Sequence, residues 1–553
     1  MKKLKLGFLG MIVFWMIFFV FSRDVYADSI GQIKTFFVNS KYDQFLRTKL
    51  EATLRHVSSR AYFYVDDRYW DNLSTNQRNF LSSNISFLGQ EFDKEIYPKE
   101  TTFWGTEPNP GVDNDPMVTI LLEDLITGNG GYFDTSNQYP KNKVADSNER
   151  EIVFVSVESV GGSFTKIFLG HEFQHLISFN QKELLRNSSE DVWLNELRSE
   201  YSVSLLGYNN RFDGSSLERR VDSFLDDPSD SLTEWPNVSS DYSQVALFAE
   251  YLVEQYGSVI LSETLQDSEG GIVSIDKYLQ NHGFSEMFSD VFESWTVANY
   301  LNNRSLDKKY GYQRDELKNI KVTPIKNTLF YPSESSFVYN LKPWQSAWYQ
   351  YNILTLPSDK ALKIDYSPSH SVKVLYSDNL GRVGVLTNSG YIVNPGNLNY
   401  VVLMPINETK TSDFGSNDES TMISLKISYA NNEFAQKPKD GTLVKRHGSE
   451  QEMYVIEGNY KRYLRPDVIK LYGHLDVNKV LELDDVVFNS YTTANYIRPV
   501  DEKRVYAVWP DGTKHWLNIT PQQWDASGRD WNAIFVINEL ESNSYKTEAD
   551  ITH

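Results

Sequence analysis

The chain of 553 residues contains no cysteine. A disulfide framework is therefore excluded, and so is a lipid anchor attached through an N-terminal cysteine. The sequence is also poor in positive charge, since 54 Lys and Arg stand against 74 Asp and Glu and give a formal net charge of -20. Because an acidic surface repels phosphate backbones, nucleic acid is not expected as a partner.

Beyond its first residues, the sequence has no apolar run long enough to span a membrane. Three lysines within the first five residues precede an apolar run at positions 6–21, and a small-residue cleavage pattern ends at Ala27. This layout is typical of a secretory signal peptide over residues 1–27, with an uncleaved anchor as the alternative. A secreted chain without cysteine favours bacterial export, so we expect an extracellular protein that is released or held at the cell surface.

The chain is too long for one hydrophobic core, so several domains are expected. Strand-like runs alternate with amphipathic helices over residues 28–325, which predicts an α+β enzyme domain. Short β-type runs with turn signals over residues 326–435 predict a β-sandwich accessory domain. An internal repeat over residues 436–553 predicts a small C-terminal region built from two copies of one unit.

Within the α+β domain, the pattern of apolar residues predicts individual elements. Apolar residues at helical spacing over residues 44–56 predict a helix, and a second helix is predicted over residues 75–96 with Ser74 as its cap. Buried strands are predicted at residues 61–65, 117–122 and 151–155. Long helices after mixed strands fit the expected fold class.

The repeat in the C-terminal region is visible as two pairs of similar segments. Residues 454–464 parallel residues 506–517, and residues 489–491 parallel residues 543–545. Repeated units of this kind often serve as extracellular attachment modules, so a cell-wall or surface component is one candidate partner. The alternative is that the repeats only pack on each other and on the rest of the protein.

His171 and His175 lie four positions apart in a mostly apolar stretch that predicts a helix over residues 164–185. On a helix this spacing places both imidazoles on one face, where they can bind one metal ion. Glu172 follows the first histidine and can reach a water on that ion without being a ligand. Alone, this short pattern also occurs by chance, and a structural histidine pair is the alternative.

Glu196 is the candidate for a third ligand. Twenty residues separate it from His175, which is enough for the first helix to end and for a second helix, predicted over residues 192–206, to return. Two histidines and one glutamate leave the fourth position of a zinc ion open for water. This arrangement is typical of a catalytic zinc site rather than a structural one.

The sequence HEFQH at residues 171–175, followed by NELRSE at residues 195–200, resembles the gluzincins, the thermolysin-type superfamily of zinc peptidases. The second motif of that superfamily has the form Asn-Glu-x-x-Ser-Asp. The resemblance implies that Glu196 is the third zinc ligand and that Glu200 orients a ligand histidine. The last position is Glu here and Asp in thermolysin, so the contact made by Glu200 differs in length.

Further segments are similar to the hyicolysin family of secreted bacterial neutral metallopeptidases. They lie at residues 110–116, 130–134 and 147–151. With the two motifs, the resemblance spans roughly residues 30–310, and the sandwich and the repeats lie outside it. It implies a zincin-type fold and an endopeptidase that acts on proteins or peptides, with Glu172 as the base that activates a zinc-bound water.

Tyr242 opens a predicted helix over residues 242–256. It resembles the tyrosine that stabilises the oxyanion in the aminopeptidase branch of the gluzincins. A packed tyrosine at a helix start is the alternative, and Tyr201 is a second candidate for the role. The motif with which that branch binds the substrate amino terminus is not found, so an endopeptidase is favoured over an aminopeptidase.

Two other hypotheses stay open at this point. Asp113, Asn114 and Asp115 offer oxygen ligands for calcium, but the stretch lacks the full EF-hand pattern, and an ordinary polar turn is the alternative. The whole chain could also be an adhesion or binding protein on an inactive zincin scaffold. The complete ligand set and the presence of Glu172 argue against that alternative.

Overall fold

A computed structural model describes residues 27–368, 372–386, 389–394, 396–432, 438–446, 449, 452–483 and 485–552. The predicted signal peptide, apart from Ala27, lies outside the described residues. None of the helices in the described part has the length and apolar character needed to cross a bilayer.

The internal contacts of the chain form two compact units. The first comprises the residues up to Glu190 together with Arg198–Arg211 and Leu261–Gly270. The second comprises Asp191–Leu197, Phe212–Ile260 and the residues from Gly271 onward.

A six-stranded sheet forms the centre of the first unit. Its strands are β1 (Ile33–Phe37), β2 (Lys49–Val57), β3 (Ala61–Asp66), β4 (Val118–Glu123), β5 (Gly131–Tyr132) and β6 (Ile152–Ser156). The strand order is β1-β2-β3-β4-β6-β5, in which β3, β4 and β6 run parallel and β5 is an antiparallel edge strand. Every residue of β3, β4 and β6 is buried, as expected for parallel strands covered on both faces. The three predicted strands are confirmed.

The helix predicted over residues 44–56 is wrong. Lys49–Val57 is strand β2, which pairs antiparallel with β1 on one side and β3 on the other. Leu50, Ala52 and Leu54 are buried and lie on alternate positions. Because Leu50 and Leu54 are four residues apart, their spacing fits a helix and a strand equally, and the pairing with two neighbouring strands decides between them.

The α-helices before the sandwich are α1 (Asp67–Asp71), α2 (Thr75–Glu91), α3 (Tyr97–Trp104), α4 (Thr165–Phe179), α5 (Val192–Leu205), α6 (Ser216–Asp226), α7 (Ser239–Tyr256), α8 (Val259–Leu265), α9 (Gly271–Asn281) and α10 (Phe288–Leu301). Short π- or 3-10 turns lie at Phe92–Ile96, Thr135–Gln138, Val157–Ser159 and Asn180–Leu184. Ser74 caps α2 as predicted, since its hydroxyl accepts from the backbone of Gln77 while the Gln77 side chain accepts from the backbone of Ser74.

Two facing sheets of the second unit share one apolar core. Their strands are β7 (Ile325–Leu329), β8 (Ser335–Leu341), β9 (Tyr349–Ile353), β10 (Lys360–Ser367), β11 (Val372–Asp378), β12 (Val383–Leu386), β13 (Ser389–Ile392), β14 (Tyr400–Asn407) and β15 (Thr421–Asn431). The orders are β13-β10-β15-β8 and β12-β11-β14-β9-β7. Ile364 and Leu425 of one sheet pack in the same core as Val374 and Leu403 of the other, which is the arrangement of a β-sandwich.

The remaining residues form two further five-stranded sheets. Their strands are β16 (Leu443–Arg446), β17 (Met453–Glu457), β18 (Tyr460–Leu464), β19 (Leu481–Leu483), β20 (Thr492–Thr493), β21 (Tyr496–Pro499), β22 (Tyr506–Val508), β23 (Thr513–Trp516), β24 (Ile534–Ile537) and β25 (Lys546–Thr547). The helices are α11 (Pro466–Ile469), α12 (Asp485–Asn489), α13 (Pro521–Ala526) and α14 (Glu539–Ser544), with 3-10 turns at Val477–Lys479 and Trp531–Ala533.

The two sheets have the same topology. Their orders are β19-β16-β17-β18-β20 and β24-β21-β22-β23-β25, and each has three antiparallel strands with a parallel strand at either edge. Lys461 and Lys514 occupy matching positions, and each buried ammonium donates to a backbone carbonyl oxygen of the second helix that follows it, at Phe488 in α12 and at Ser542 in α14. A buried ion pair at 2.6 Å between Arg462 and Glu541 joins the two copies.

Candidate metal centre

Helix α4 carries His171, Glu172 and His175, and most of its residues are buried. The two histidine rings lie edge to face with centroids 4.9 Å apart, and their Nε2 atoms are 3.2 Å apart. Two imidazole nitrogens at this separation face a common point. The i, i+4 spacing on a regular helix therefore produces a pair of donors that one metal ion can share.

Glu196 lies in the first turns of α5, and its carboxylate joins the histidine pair. One ligand atom from each of His171, His175 and Glu196 lies within 4.8 Å of the others. Among the described residues, no other group of three or more His, Asp or Glu side chains brings its ligand atoms together in this way.

The next turn of the same helix α5 fixes the outer nitrogens of the two histidines. Ser199 Oγ lies 3.2 Å from His175 Nδ1, and Glu200 Oε1 lies 3.6 Å from His171 Nδ1. Because α5 is continuous, the contacts of Ser199 and Glu200 also set the position of Glu196 one turn earlier. With both Nδ1 atoms directed at α5, the Nε2 atoms are the ones available to a metal.

A buried chain of hydrogen bonds continues behind His175. Ser199 Oγ donates to Gln174 Oε1 at 2.5 Å, and Gln174 Nε2 donates to Ser178 Oγ at 2.7 Å. Because the hydroxyl of Ser199 donates its hydrogen to Gln174, its oxygen can accept a hydrogen bond from Nδ1–H of His175. This assignment leaves Nε2 of His175 unprotonated, which is the form that binds a metal ion.

Ser199 and Gln174 are two site residues that the sequence did not predict. Gln174 lies inside the first motif and is completely buried, and Ser199 lies inside the second. The signal that could have found them is their place in the motifs, since a buried polar residue next to a ligand needs a hydrogen-bond partner.

Glu172 is buried against the edge strand β5. A Cβ atom at Gly131 would lie 2.9 Å from Glu172 Cγ and 3.1 Å from Glu172 Oε1, and one at Gly130 would lie 2.4 Å from a ring atom of Phe168. The edge strand therefore approaches α4 closely because these two positions have no side chain. Glu172 follows His171 on the same helix and is not among the three residues whose ligand atoms converge.

Helix α3 packs against α4, and it brings a buried acidic side chain close to the motif. A Cβ atom at Gly170 would lie 3.1 Å from Glu100 Oε1 and 2.7 Å from Leu206 Cδ1. Glu100 is fully buried, and its carboxyl oxygens have no hydrogen-bond partner in the structure. Burial raises the pKa of Glu100 well above its usual range, because a charged carboxylate is disfavoured where water is excluded.

Tyr242 lies in the second unit, in the first turn of α7. Its hydroxyl donates to Asn237 Oδ1 at 2.8 Å, and its ring contacts Trp235 and the guanidinium of Arg220. Tyr201, the second candidate, lies on α5 with its ring centroid 6.5 Å from that of Phe103. The role of either tyrosine in oxyanion binding stays a prediction.

The calcium hypothesis at residues 113–115 also stays a prediction. Asp115 accepts hydrogen bonds from Tyr62 and from the backbone of Met117, and Asp113 accepts one from the backbone of Asp115. Burial raises the pKa of Asp113. These contacts are those of a polar turn tied to the central sheet.

Comparison with known proteins gives one informative match. No protein-family model matches the chain. A neutral metalloprotease named ShpI from Staphylococcus hyicus is 27% identical over 359 residues, which cover 60% of this chain and 74% of that protein. The similarity supports a metallopeptidase family and does not single out a hyicolysin-like member.

The matches to solved structures cover only a small part of this chain. A periplasmic inhibitor of g-type lysozyme from Salmonella Typhimurium covers 19% of this chain and 99% of its own, with 6% identity and a TM-score of 0.15. The corresponding inhibitor from Aeromonas hydrophila covers 19% and 96%, with 8% identity and a TM-score of 0.16. At these TM-scores, the matches carry no information about the fold or function of this chain.

Proposed function

We propose that the protein is a secreted zinc endopeptidase that hydrolyses peptide bonds in proteins. The observation that carries the proposal is the convergence of ligand atoms from His171, His175 and Glu196 within 4.8 Å. Similarity to a neutral metalloprotease supports the same reaction class. The hyicolysin-like relationship is the finer assignment within this proposal.

The donor set suits zinc better than calcium or magnesium. Two imidazole nitrogens and one carboxylate form the ligand set of catalytic zinc sites, whereas calcium and magnesium prefer oxygen ligands. Ser199 and Glu200 hold the outer nitrogens of the histidines, which is the kind of support that metal-binding histidines require. We therefore assign His171, His175 and Glu196 as the zinc ligands.

Glu172 is assigned as the general base. When bound, zinc supplies a water of lowered pKa and polarises the carbonyl group of the scissile bond. Glu172 accepts a proton from this water and then donates it to the leaving nitrogen of the substrate. Its burial against Gly131 restricts the side chain, which supports a role that depends on a fixed orientation.

The position of the edge strand β5 favours a protein as the substrate. It is the last strand of the six-stranded sheet, so its outer edge can pair with an extended peptide. Gly131 of this strand lies directly against Glu172, and a peptide paired with β5 would therefore pass the proposed base. Strand pairing reads the peptide backbone and needs no free amino terminus, which favours an endopeptidase over an aminopeptidase.

Tyr242 is the proposed donor to the oxyanion, with Tyr201 as the alternative. A phenolic hydroxyl is a suitable donor for the negative charge that develops on the carbonyl oxygen. Secretion is proposed from the predicted signal peptide over residues 1–27. The two-copy region over residues 436–553 is the proposed site of any attachment to a cell-wall or surface component.

The experiment that tests the proposal measures zinc content and hydrolysis of unfolded casein. We expect the mature protein to bind about one zinc ion per chain and to cleave casein. Glu172→Gln should retain the zinc and lower kcat by about 100-fold to 10,000-fold, because a general base contributes on this scale. The same assay with Tyr242→Phe tests the oxyanion role.

Glu183→Gln is the matched control, because Glu183 lies in the π-turn that extends α4 and is largely exposed. This variant should retain both zinc and activity. If the parent protein binds zinc but cleaves neither casein nor varied peptides, the endopeptidase proposal fails. The alternative of an adhesion protein on a zincin scaffold then takes its place.

A further inference from the structure

Asp28 is the first residue after the predicted cleavage position, and its side chain is buried in the first unit. Its carboxylate is bound by Lys34 Nζ at 2.7 Å, by a guanidinium nitrogen of Arg150 at 2.6 Å and by the hydroxyl of Tyr64 at 2.7 Å. These contacts hold the pKa of Asp28 below its usual value in spite of the opposing effect of burial. The chain is therefore anchored to the central sheet at this residue.

The backbone nitrogen of Asp28 also points into the protein. It donates to the hydroxyl of Tyr62 at 3.3 Å, and that hydroxyl donates in turn to Asp115 Oδ2 at 2.9 Å. Ala27, one residue earlier, is exposed to solvent. The peptide bond between Ala27 and Asp28 therefore connects an exposed residue to a nitrogen that already has a polar partner inside the fold.

The charges in the cluster around Asp28 are not balanced. Asp28, Asp113 and Asp115 provide three carboxylates, whereas Lys34 and Arg150 provide two cations. The groups linked to Asp28 directly or through these contacts come from β1 (Lys34), β3 (Tyr62 and Tyr64), the loop before β4 (Asp113 and Asp115) and the segment before β6 (Arg150 and Glu151). Burial raises the pKa of Glu151 to about 8, so this carboxyl is largely uncharged at neutral pH.

We propose that cleavage between Ala27 and Asp28 creates an α-ammonium group that acts as the third cation of this cluster. Hydrolysis by a signal peptidase consumes one water, leaves a carboxylate on Ala27 and leaves an amine on Asp28, which takes up a proton. The new group keeps the hydrogen bond to Tyr62 and adds a positive charge that the hydroxyl of Tyr62 links to Asp115. Removal of the signal peptide then completes the electrostatic core of the first unit, which carries the histidine pair.

The position of the cut matters for the same reason. Cleavage after Asp28 would remove the carboxylate that binds Lys34 and the buried Arg150. Cleavage before Ala27 would leave the new charge one residue, about 3.8 Å, further out. The inference rests on the predicted cleavage after Ala27 and is independent of the proposed peptidase activity.

The test compares two full-length chains of defined start, residues 28–553 and residues 27–553. Both chains are treated with the N-hydroxysuccinimide ester of acetic acid at pH 7. Acetylation of the α-amine is followed by mass spectrometry of the N-terminal peptide. Pairing with Asp115 raises the pKa of the α-amine, and each unit of increase lowers the reactive fraction about ten-fold. We expect the chain that starts at Asp28 to react at least about ten-fold more slowly than the chain that starts at Ala27.

Two variants distinguish an electrostatic effect of Asp115 on the α-amine from simple burial of the α-amine. Asp115→Asn in the 28–553 chain should accelerate acetylation, whereas Asp71→Asn, a change at an exposed position, should not. In urea, both parent chains should react at the same rate. Equal rates for the two folded parent chains would overturn the proposal, and so would a slow rate that Asp115→Asn leaves unchanged.

The pH dependence gives a second measurement with a defined sign. An unfolded α-amine has a pKa of about 8, and pairing raises the folded value above it. The stabilisation from this group is therefore complete below pH 8 and is lost as the pH rises through the folded pKa. The 28–553 chain should melt at a higher temperature than the 27–553 chain at pH 7, and the difference should shrink by pH 10.

Discussion

Ser199 Oγ lies 3.2 Å from Nδ1 of His175, on the side of the ring opposite the nitrogen that faces His171. The same hydroxyl donates to Gln174, which lies on the helix of the histidines. One serine of α5 therefore orients a candidate metal ligand of α4 and is itself oriented by a second residue of α4. This relationship ties the two motif helices together at the site.

Removal of this hydroxyl is the first prediction. Ser199→Ala should weaken zinc affinity by about 10–100-fold, because Nδ1 of His175 loses the acceptor that fixes the ring and its tautomer. Competition with a chelator measures the affinity. Ser202→Ala is the matched control, since Ser202 is buried on the same helix and accepts a hydrogen bond from Trp104. An unchanged affinity in Ser199→Ala would show that the contact does not support the metal site.

The two glutamates of α5 should behave differently. Glu196→Gln removes a proposed ligand. It should therefore lower zinc affinity by more than about 100-fold, which is the largest loss expected when only a supporting contact is removed. Glu200→Gln should cost about 10–100-fold, since Glu200 Oε1 is 3.6 Å from His171 Nδ1 and acts through that histidine. Zinc titration of both variants gives the comparison. A larger loss in Glu200→Gln would reverse the assignment of ligand and supporting residue.

Gly131 is expected to be required for activity rather than for metal binding. In Gly131→Ala the new Cβ would lie 2.6 Å from the carbonyl oxygen of Phe154 and 2.9 Å from Glu172 Cγ, so the base or the edge strand must move. A displacement near 1 Å at a catalytic group lowers the rate by about 100-fold. Zinc content should stay unchanged while casein hydrolysis falls. Gly473→Ala, where a Cβ meets no atom within 4 Å, should leave both unchanged and serves as the control.

Glu123 gives a prediction about stability and pH. Burial raises its pKa to about 9, and its second oxygen accepts a hydrogen bond from Tyr132. Because the folded state holds this proton more tightly than the unfolded state, stability falls as the pH rises from about 4.5 towards 9. Glutamine cannot ionise, so Glu123→Gln removes this dependence on pH. The change that the substitution makes in the free energy of unfolding should therefore be more favourable at pH 8 than at pH 4, by roughly 1–3 kcal/mol.

The control for this variant is Glu51→Gln, an exposed position in β2 of the same sheet. It should show no such dependence on pH. Urea unfolding at the two pH values measures the difference. If Glu123→Gln has the same effect at pH 4 and pH 8, then Glu123 does not retain its proton in the folded protein.

Much of the secondary structure follows from local sequence. The buried strands β3, β4 and β6 are continuous apolar runs, and Ser74 marks the start of α2 through a capping box that involves only four residues. These features depend on neighbours along the chain, so the sequence predicts them correctly. The wrong helix over residues 44–56 has the opposite cause, because its strand conformation depends on pairing with β1 and β3.

The sequence by itself determined the pairing of His171 with His175, because a helix fixes the geometry of residues four apart. It also determined that Glu196, Ser199 and Glu200 share one helix. Only the tertiary structure decided that Ser199 reaches His175, that Gly131 lies against Glu172 and that the backbone nitrogen of Asp28 meets Tyr62. These contacts join segments far apart in the chain, and their distances depend on how whole helices and strands pack, which no local pattern of residues encodes.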